Sequence, residues 1–189
     1  MKIAIIGSHG TGKTTLAYGL TAALKRKYKS VTLVPEAAST CPLVINEHAS
    51  MESQSWILSK QLCNEIEAQD KYDVVICDRS VIDSYAYSLS LGAREKVLVP
   101  LWMRQVVYDW YITYDLIFKT TPNEKYLVHD GIRSITSGWQ KEIDLIISSV
   151  LSDMGILDRV YDVSMEDSLD YIIDTVLLYD DKYNKLYSH

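Results

Sequence analysis

Cysteine is scarce in this chain. The three present, Cys41, Cys63 and Cys77, are an odd number with no Cys-x-x-Cys spacing, so neither a disulfide framework nor a zinc site is indicated. Cys77 lies in an apolar run and Cys63 in a helical pattern, which predicts core positions for both. No apolar stretch approaches the roughly 20 residues that a membrane span requires. The first apolar run, residues 3–6, is far shorter than the h-region of a signal peptide. A reducing, cytoplasmic setting without a membrane is therefore expected. Strong positive charge is missing too. The net charge is −6 over 189 residues, so no overall field draws nucleic-acid phosphates. The one dense basic run, Lys-Arg-Lys-Tyr-Lys at 25–29, falls at an expected helix end, where cations suit the dipole. Nucleic acid is not an expected partner. Phenylalanine occurs once against 14 tyrosines, and nothing functional follows from that. Repeats, low-complexity tracts and an internal boundary are also missing, so residues 1–189 are expected to form one domain.

What is present starts at residue 2. The apolar run Lys-Ile-Ala-Ile-Ile is followed by Gly7-Ser-His-Gly-Thr-Gly-Lys-Thr14, and a helical pattern follows that. The spacing is G-x-x-x-x-G-K-[ST] between a strand and a helix. Glycine leaves the loop backbone free to curl and aim several N–H groups at one anion. The helix that follows adds its positive dipole end. Gly7, His9, Gly10, Thr11, Gly12, Lys13, Thr14 and Thr15 are thus the candidate nucleotide-binding residues. Lys13 is expected to reach the β- and γ-phosphates of ATP, and the Thr14 hydroxyl to hold Mg2+.

Five strand candidates stand out, at 2–6, 31–34, 73–77, 115–119 and 160–163. Most are continuous apolar runs, as in strands buried on both faces. Helical patterns alternate with them at about 13–28, 51–69, 80–91, 94–113, 139–153 and 166–179. Such alternation predicts an α/β fold, a doubly wound five-stranded parallel sheet with helices on both faces. The polar stretch 121–138 opens with Thr-Pro and holds two glycines. It is too long for an ordinary connection and is expected to be a lid.

Ligands of such sheets sit beyond the carboxyl ends of the strands. Strand 31–34 ends in Pro35-Glu36; the carboxylate is either a general base for an acceptor hydroxyl or a solvated loop residue. Strand 73–77 ends in Asp78-Arg79-Ser80. Asp78 has the character of a Mg2+-holding carboxylate, with a helix cap as the alternative, although Ser80 could serve as that cap and leave Asp78 free. Arg79 keeps its charge and suits an oxygen or phosphate clamp, or a structural ion pair. In the 51–69 helix, Leu58, Leu62 and Ile66 read as a core stripe, flanked by Gln54 and Gln61, whose amides could read a base. Trp56 and Tyr85 could stack on one, although aromatics at helical spacing are usually core. In the expected lid, Arg133 follows a glycine turn and could neutralise a moving phosphoryl group on closure. Asp130 could orient it, and His129 has no assigned role.

These residues resemble P-loop nucleoside and nucleotide kinases over roughly residues 1–140. "GSHGTGKTT" and "DGIRS" resemble the nicotinamide riboside kinase domain of bacterial NAD-regulator proteins and its single-domain relatives. "VPEAAS", a Gln-bearing helix and "DRSVIDSYAY" are similar to the Pro-Glu, Gln and Glu-Arg-Ser pattern of deoxyribonucleoside kinases. Asp-Arg at the third strand's end also resembles thymidylate kinases. The resemblance implies that Glu36 acts on the acceptor hydroxyl and that Arg79 assists phosphate transfer. Two departures bear on the acceptor. Asp78 stands where deoxyribonucleoside kinases have Glu, and Pro35 where thymidylate kinases usually have an acceptor-binding arginine. The second tilts the expectation toward a nucleoside, with Arg79, Arg104 or Arg133 left as alternative phosphate ligands. A GTPase would need Asn-Lys-x-Asp after the fourth strand, where Thr-Pro-Asn-Glu-Lys-Tyr stands instead. An AAA-type machine would need a helical lid domain after the core. The expected function is thus an ATP- and Mg2+-dependent kinase for a nucleoside or nucleoside monophosphate, with self-association into a homodimer left open. The alternative is an ATPase or regulatory nucleotide-binding protein with no small-molecule acceptor.

Overall fold

In the computed structural model, residues 1–28, 30–122, 137–164 and 168–187 are described. The expected lid, with His129, Asp130 and Arg133, lies outside them apart from its end residues 121–122 and 137–138. Five strands run parallel, β1 (Lys2–Ile6), β2 (Val31–Val34), β3 (Val74–Asp78), β4 (Leu116–Thr120) and β5 (Val160–Val163), in the order β2-β3-β1-β4-β5. The register pairs Ile5 with Asp78 and Ile6 with Lys119, so β1, β3 and β4 end level with one another. That edge is where the chain turns out of the sheet into its loops.

Alternation along each strand separates two cores. Ile3 and Ile5 of β1 face α1 (Lys13–Leu24) and α6 (Ser168–Tyr187), joining Leu16, Leu20, Ile172 and Val176. Ala4 and Ile6 face the other layer, made by α2 (Met51–Lys71), α3 (Val81–Glu95), α4 (Leu101–Trp110) and α5 (Ser137–Asp153). Because both faces are covered, β1, β3 and β4 are buried along their whole length and apolar over most of it, as expected of a doubly wound sheet. No helix among the described residues is long and apolar enough to cross a membrane.

The structure departs from the sequence expectations in three places. The helix expected over 94–113 is split. The α3 helix runs on to Glu95 and stops at Lys96 in a left-handed conformation, and α4 begins only after Pro100. Proline has no N–H to donate and ends or starts helices rather than continuing them. The expected stripe on α2 is rotated. Ile66 is exposed and Leu62 only half-buried, while Gln54, Leu58, Gln61, Glu65 and Ala68 face inward. Polar groups can occupy that face because other buried polar groups meet them there. Cys63 is therefore exposed, contrary to the core position expected of it, whereas Cys77 is buried.

Candidate active site

The loop from Gly7 to Lys13 turns on three glycines with positive φ, at 140°, 67° and 81° for Gly7, Gly10 and Gly12. At Gly7 space is as restrictive as conformation. A Cβ there would meet Thr120 Oγ1 at 2.3 Å and Thr120 O at 2.9 Å. The loop is tied internally and to β4. The Thr11 hydroxyl donates to Ser8 O at 3.0 Å and lies 2.6 Å from Thr120 Oγ1, and the Thr120 hydroxyl donates to Ile6 O at 3.0 Å. Lys13 is turned back on the loop, where its ammonium donates to Ser8 O and to Thr11 Oγ1. Burial and then the nearby Arg79 charge lower its pKa to about 7, against the pull of Asp83, Glu36 and Asp78. Thr14 is half-buried and Thr15 exposed in the first turn of α1.

Beside the loop, β3 delivers Asp78 and Arg79. Arg79 is the unusual residue, with φ 77° and no glycine to excuse it. A non-glycine residue in that region costs of order 1–3 kcal/mol and persists only where its surroundings hold it. Here the Arg79 N–H donates to Ile5 O at 3.1 Å, and Arg79 O accepts from Gln61 Nε2 at 3.3 Å. The turn throws the guanidinium across the cleft. Its Nε meets Glu36 Oε1 at 2.5 Å, its Nη1 donates to Gly7 O at 3.3 Å, and the group lies 5.4 Å from the centre of the Tyr87 ring. Burial works against the Arg79 charge. Glu36 above all, then Asp83 and Asp78 among the carboxylates, outweigh it and hold the pKa above its ordinary value.

Ser80, not Asp78, caps α3. Its hydroxyl accepts from Ile82 N at 3.0 Å, and Asp83 answers it in a capping box. Asp78 is thereby spared the capping role, one of the two alternatives left by the sequence. It is 3% exposed, and its Oδ1 has no hydrogen-bond partner among the described residues. A buried carboxylate oxygen without a partner is costly, and here it lies among the charges that surround Lys13. A hard oxygen donor of this kind suits Mg2+, which takes one or two protein oxygens and completes its shell with phosphates and water. No group of three or more His, Cys, Asp or Glu residues able to hold a metal ion occurs among the described residues.

A cleft open to solvent runs from this point. Glu36, Arg79, Asp83 and Ser84 form its polar end, with Ile45, Ile57, Tyr87 and Trp139 as apolar walls and Gln54 and Asn46 among the lining. His9 closes the loop side. Its N–H donates to the Tyr87 hydroxyl at 3.1 Å, and its ring centre lies 4.9 Å from that of Trp139. Of the three substrate candidates named from sequence, Gln54 alone lines the cleft. Gln61 is engaged behind it with Glu65 and Arg79 O, and Tyr85 packs in the α2–α5 core.

The sequence model of one family matches residues 2–167 and is described as an AAA domain. The chain belongs to that AAA domain family. The label covers the P-loop core; among the described residues only one helix, α6, follows β5. No curated protein matches the sequence significantly. Among solved structures, deoxyadenosine kinase from M. mycoides, with products dCMP and dCDP, is similar at a TM-score of 0.64 and 17% identity, each chain covered over 100%. Two NadR structures are also similar. One, in complex with NAD and AMP-PNP, has a TM-score of 0.69 at 18% identity, and one with NR has 0.70 at 21%. The match covers 94% of this chain but only 49% and 51% of those chains, so this chain spans about half the length of NadR. At such identities the likeness is one of fold.

Family membership does not account for several residues of the site that the sequence reading missed. Asp83 and Tyr87 lie four apart on α3 and so share a face, a signal present in "DRSVIDSYAY" once the first turn of α3 is placed against the loop. Trp139 and Gln140 come from α5, and Gln140 Nε2 donates to His9 O at 2.8 Å. No local pattern marks those two, because the partner of Gln140 is 131 residues away and Trp139 packs on the same distant His9.

Proposed function

We propose that the protein is an ATP-dependent kinase whose acceptor is the hydroxyl of a nucleoside. The observation that carries this reading is the meeting of Glu36 and Arg79 at the mouth of the phosphate loop, in one cleft with apolar walls. Lys13 would leave Ser8 and Thr11 for the β- and γ-phosphates. Thr14 and Asp78 would hold Mg2+, which when bound neutralises charge shared by the β- and γ-oxygens. Glu36 takes the proton of the acceptor hydroxyl as that oxygen attacks the γ-phosphorus. The bond from the γ-phosphorus to the bridging oxygen breaks, and ADP leaves with the electron pair. Arg79, freed from Glu36 as the carboxylate turns to the hydroxyl, holds the transferring oxygens. Arg133 is assigned to the same group from the sequence alone.

A nucleoside is favoured over a monophosphate by the charge of the cleft. Among its described lining residues the one arginine is already matched by Glu36 and Asp83. A second phosphate would enter beside those two carboxylates, with no further arginine or lysine among the described lining residues, and like charges in a buried site repel strongly. Incubation with ATP, Mg2+ and separate nucleosides and nucleoside monophosphates, read as acceptor-dependent ADP formation, tests the reading. Turnover that rises only with nucleosides supports it. ADP formation independent of every acceptor would replace it with an ATPase, and none at all with a binding protein.

A further inference from the structure

We propose that Asp83 is a positioning residue that locks the first glycine of the phosphate loop to Arg79, coupling the nucleotide and acceptor halves of the cleft. This inference rests on the nucleotide-site reading above. Asp83 is fully buried in the first turn of α3. Its two carboxylate oxygens have different duties. Oδ2 accepts from Ser80 N at 2.8 Å and from the Ser80 hydroxyl at 3.0 Å, which completes the helix cap. Oδ1 is not needed for that cap. It accepts the N–H of Gly7 at 2.9 Å, 76 residues away, and lies 3.8 Å from Arg79 Nη1. That same Nη1 donates to Gly7 O. Both polar groups of the Gly7 residue are therefore held, one by Asp83 and the other by Arg79.

A cap alone does not explain a buried charge. Removing a carboxylate from water costs several kcal/mol, and burial does push the Asp83 pKa upward against Arg79 and Lys13. A serine or an asparagine could answer Ser80 without that cost. Only a carboxylate offers separate acceptors to the Gly7 and Ser80 N–H groups while balancing Arg79. Gly7 has no room to yield toward Thr120. A shift of Arg79 toward an acceptor is thus transmitted to the start of the loop that binds phosphate.

The test is a thermodynamic cycle on nucleotide affinity, read by titration of a fluorescent N-methylanthraniloyl-ATP with Mg2+. Wild type, D83N, R79K, the double variant and S80A are compared, with circular dichroism to verify folding. D83N and R79K should each weaken binding about tenfold, the scale of a lost charge-assisted hydrogen bond. The double variant should stay near tenfold instead of reaching the hundredfold product, because the two residues act as one lock. S80A, which disturbs the cap and spares Gly7, should lower the melting temperature and leave affinity within about twofold. D83N within twofold of wild type, or a fully multiplicative double variant, would overturn the lock while leaving the nucleotide site standing. Wild type that binds no nucleotide would remove both. If D83N does not fold, amide exchange of the 5–12 segment in R79K decides: about tenfold faster exchange supports the lock, and unchanged exchange overturns it.

Discussion

Two buried clusters of charge lie at opposite ends of β1, and they are built to different standards. At the amino end, Lys2 and Glu65 pair at 3.0 Å, 1% and 0% exposed. Glu65 accepts from Lys2, Gln61, Trp110 Nε1 at 2.7 Å and the Tyr114 hydroxyl at 2.8 Å. The Lys2 ammonium also reaches Gln69 and lies 4.3 and 4.5 Å from the Trp110 and Tyr114 ring centres. One cation meets one anion, and every charged atom has company. At the carboxyl end, Lys13 and Arg79 are crowded together, Arg79 is held in a left-handed turn, and Asp78 Oδ1 and Ser8 Oγ lack partners among the described residues. A folded protein keeps such an arrangement where something else completes it. The first cluster is structural, and the second carries the proposed chemistry.

The comparison is broken most directly by removing one charged side chain from each end. Lys13→Ala should lower turnover by about 10³-fold or more, since the charge on the transferring phosphoryl group loses its main partner. Its melting temperature should hold or rise, because an ammonium buried beside Arg79 is removed. Kinetics and a thermal melt on one preparation check both halves, and retained turnover would end the kinase reading. Glu65→Ala should behave in the opposite way. Stranding the buried Lys2 charge should cost about 3–5 kcal/mol in urea unfolding. In the protein that remains folded, the affinity for nucleotide should stay within a few-fold of wild type.

Glu36→Gln sharpens the contrast within the carboxyl-end cluster. Turnover should fall by about 10²-fold, the lower part of a general base's range. ATP affinity should scarcely move, so the split between kcat and the KM for ATP is the measurement. An unchanged kcat would make Glu36 a structural partner of Arg79, as Glu65 is of Lys2.

The smallest expected effect is a proton count. Lys13 has its pKa lowered from 10.5 to about 7. Bound phosphates favour the charged ammonium and raise that value. Nucleotide binding at pH 8 should therefore take up about one proton, and affinity should fall as pH rises above 7. Calorimetry in two buffers of different ionisation heat reads the uptake, which Lys13→Ala should abolish. The effect on folding has its own sign. Between pH 7 and 10.5 the unfolded chain binds more protons at Lys13 than the folded one, so this residue makes stability rise with pH across that window.

Much of the architecture was legible in the residues alone. All five strands lie within a residue of their expected spans, because strands covered on both faces are continuous apolar runs over most of their length and need no partner to be recognised. The phosphate loop was legible for a related reason, since glycines, lysine and threonine act there through consecutive backbone. The helix boundaries near Pro100 were less so, because the apolar run Val97-Leu-Val99 suits a helix until the proline breaks it. The inward face of α2 was misread. Hydrophobic spacing pointed to Leu62 and Ile66, whereas the packing turned Gln61 and Glu65 inward, where Lys2, Trp110 and Tyr114 waited from distant parts of the chain.

By itself the sequence determined the parallel sheet, the phosphate loop and the acidic and basic residues at the ends of β2 and β3, since each is written in neighbouring residues whose chemistry is local. Only the tertiary structure decided that Glu36 and Arg79 form one ion pair, that Ser80 and not Asp78 caps α3, and that Asp83 reaches back to Gly7. Those contacts join residues 43 to 76 positions apart, apart from the cap. No periodicity encodes such distances. They follow from the strand order, which lays β3 directly beside β1 and brings the start of α3 against the loop.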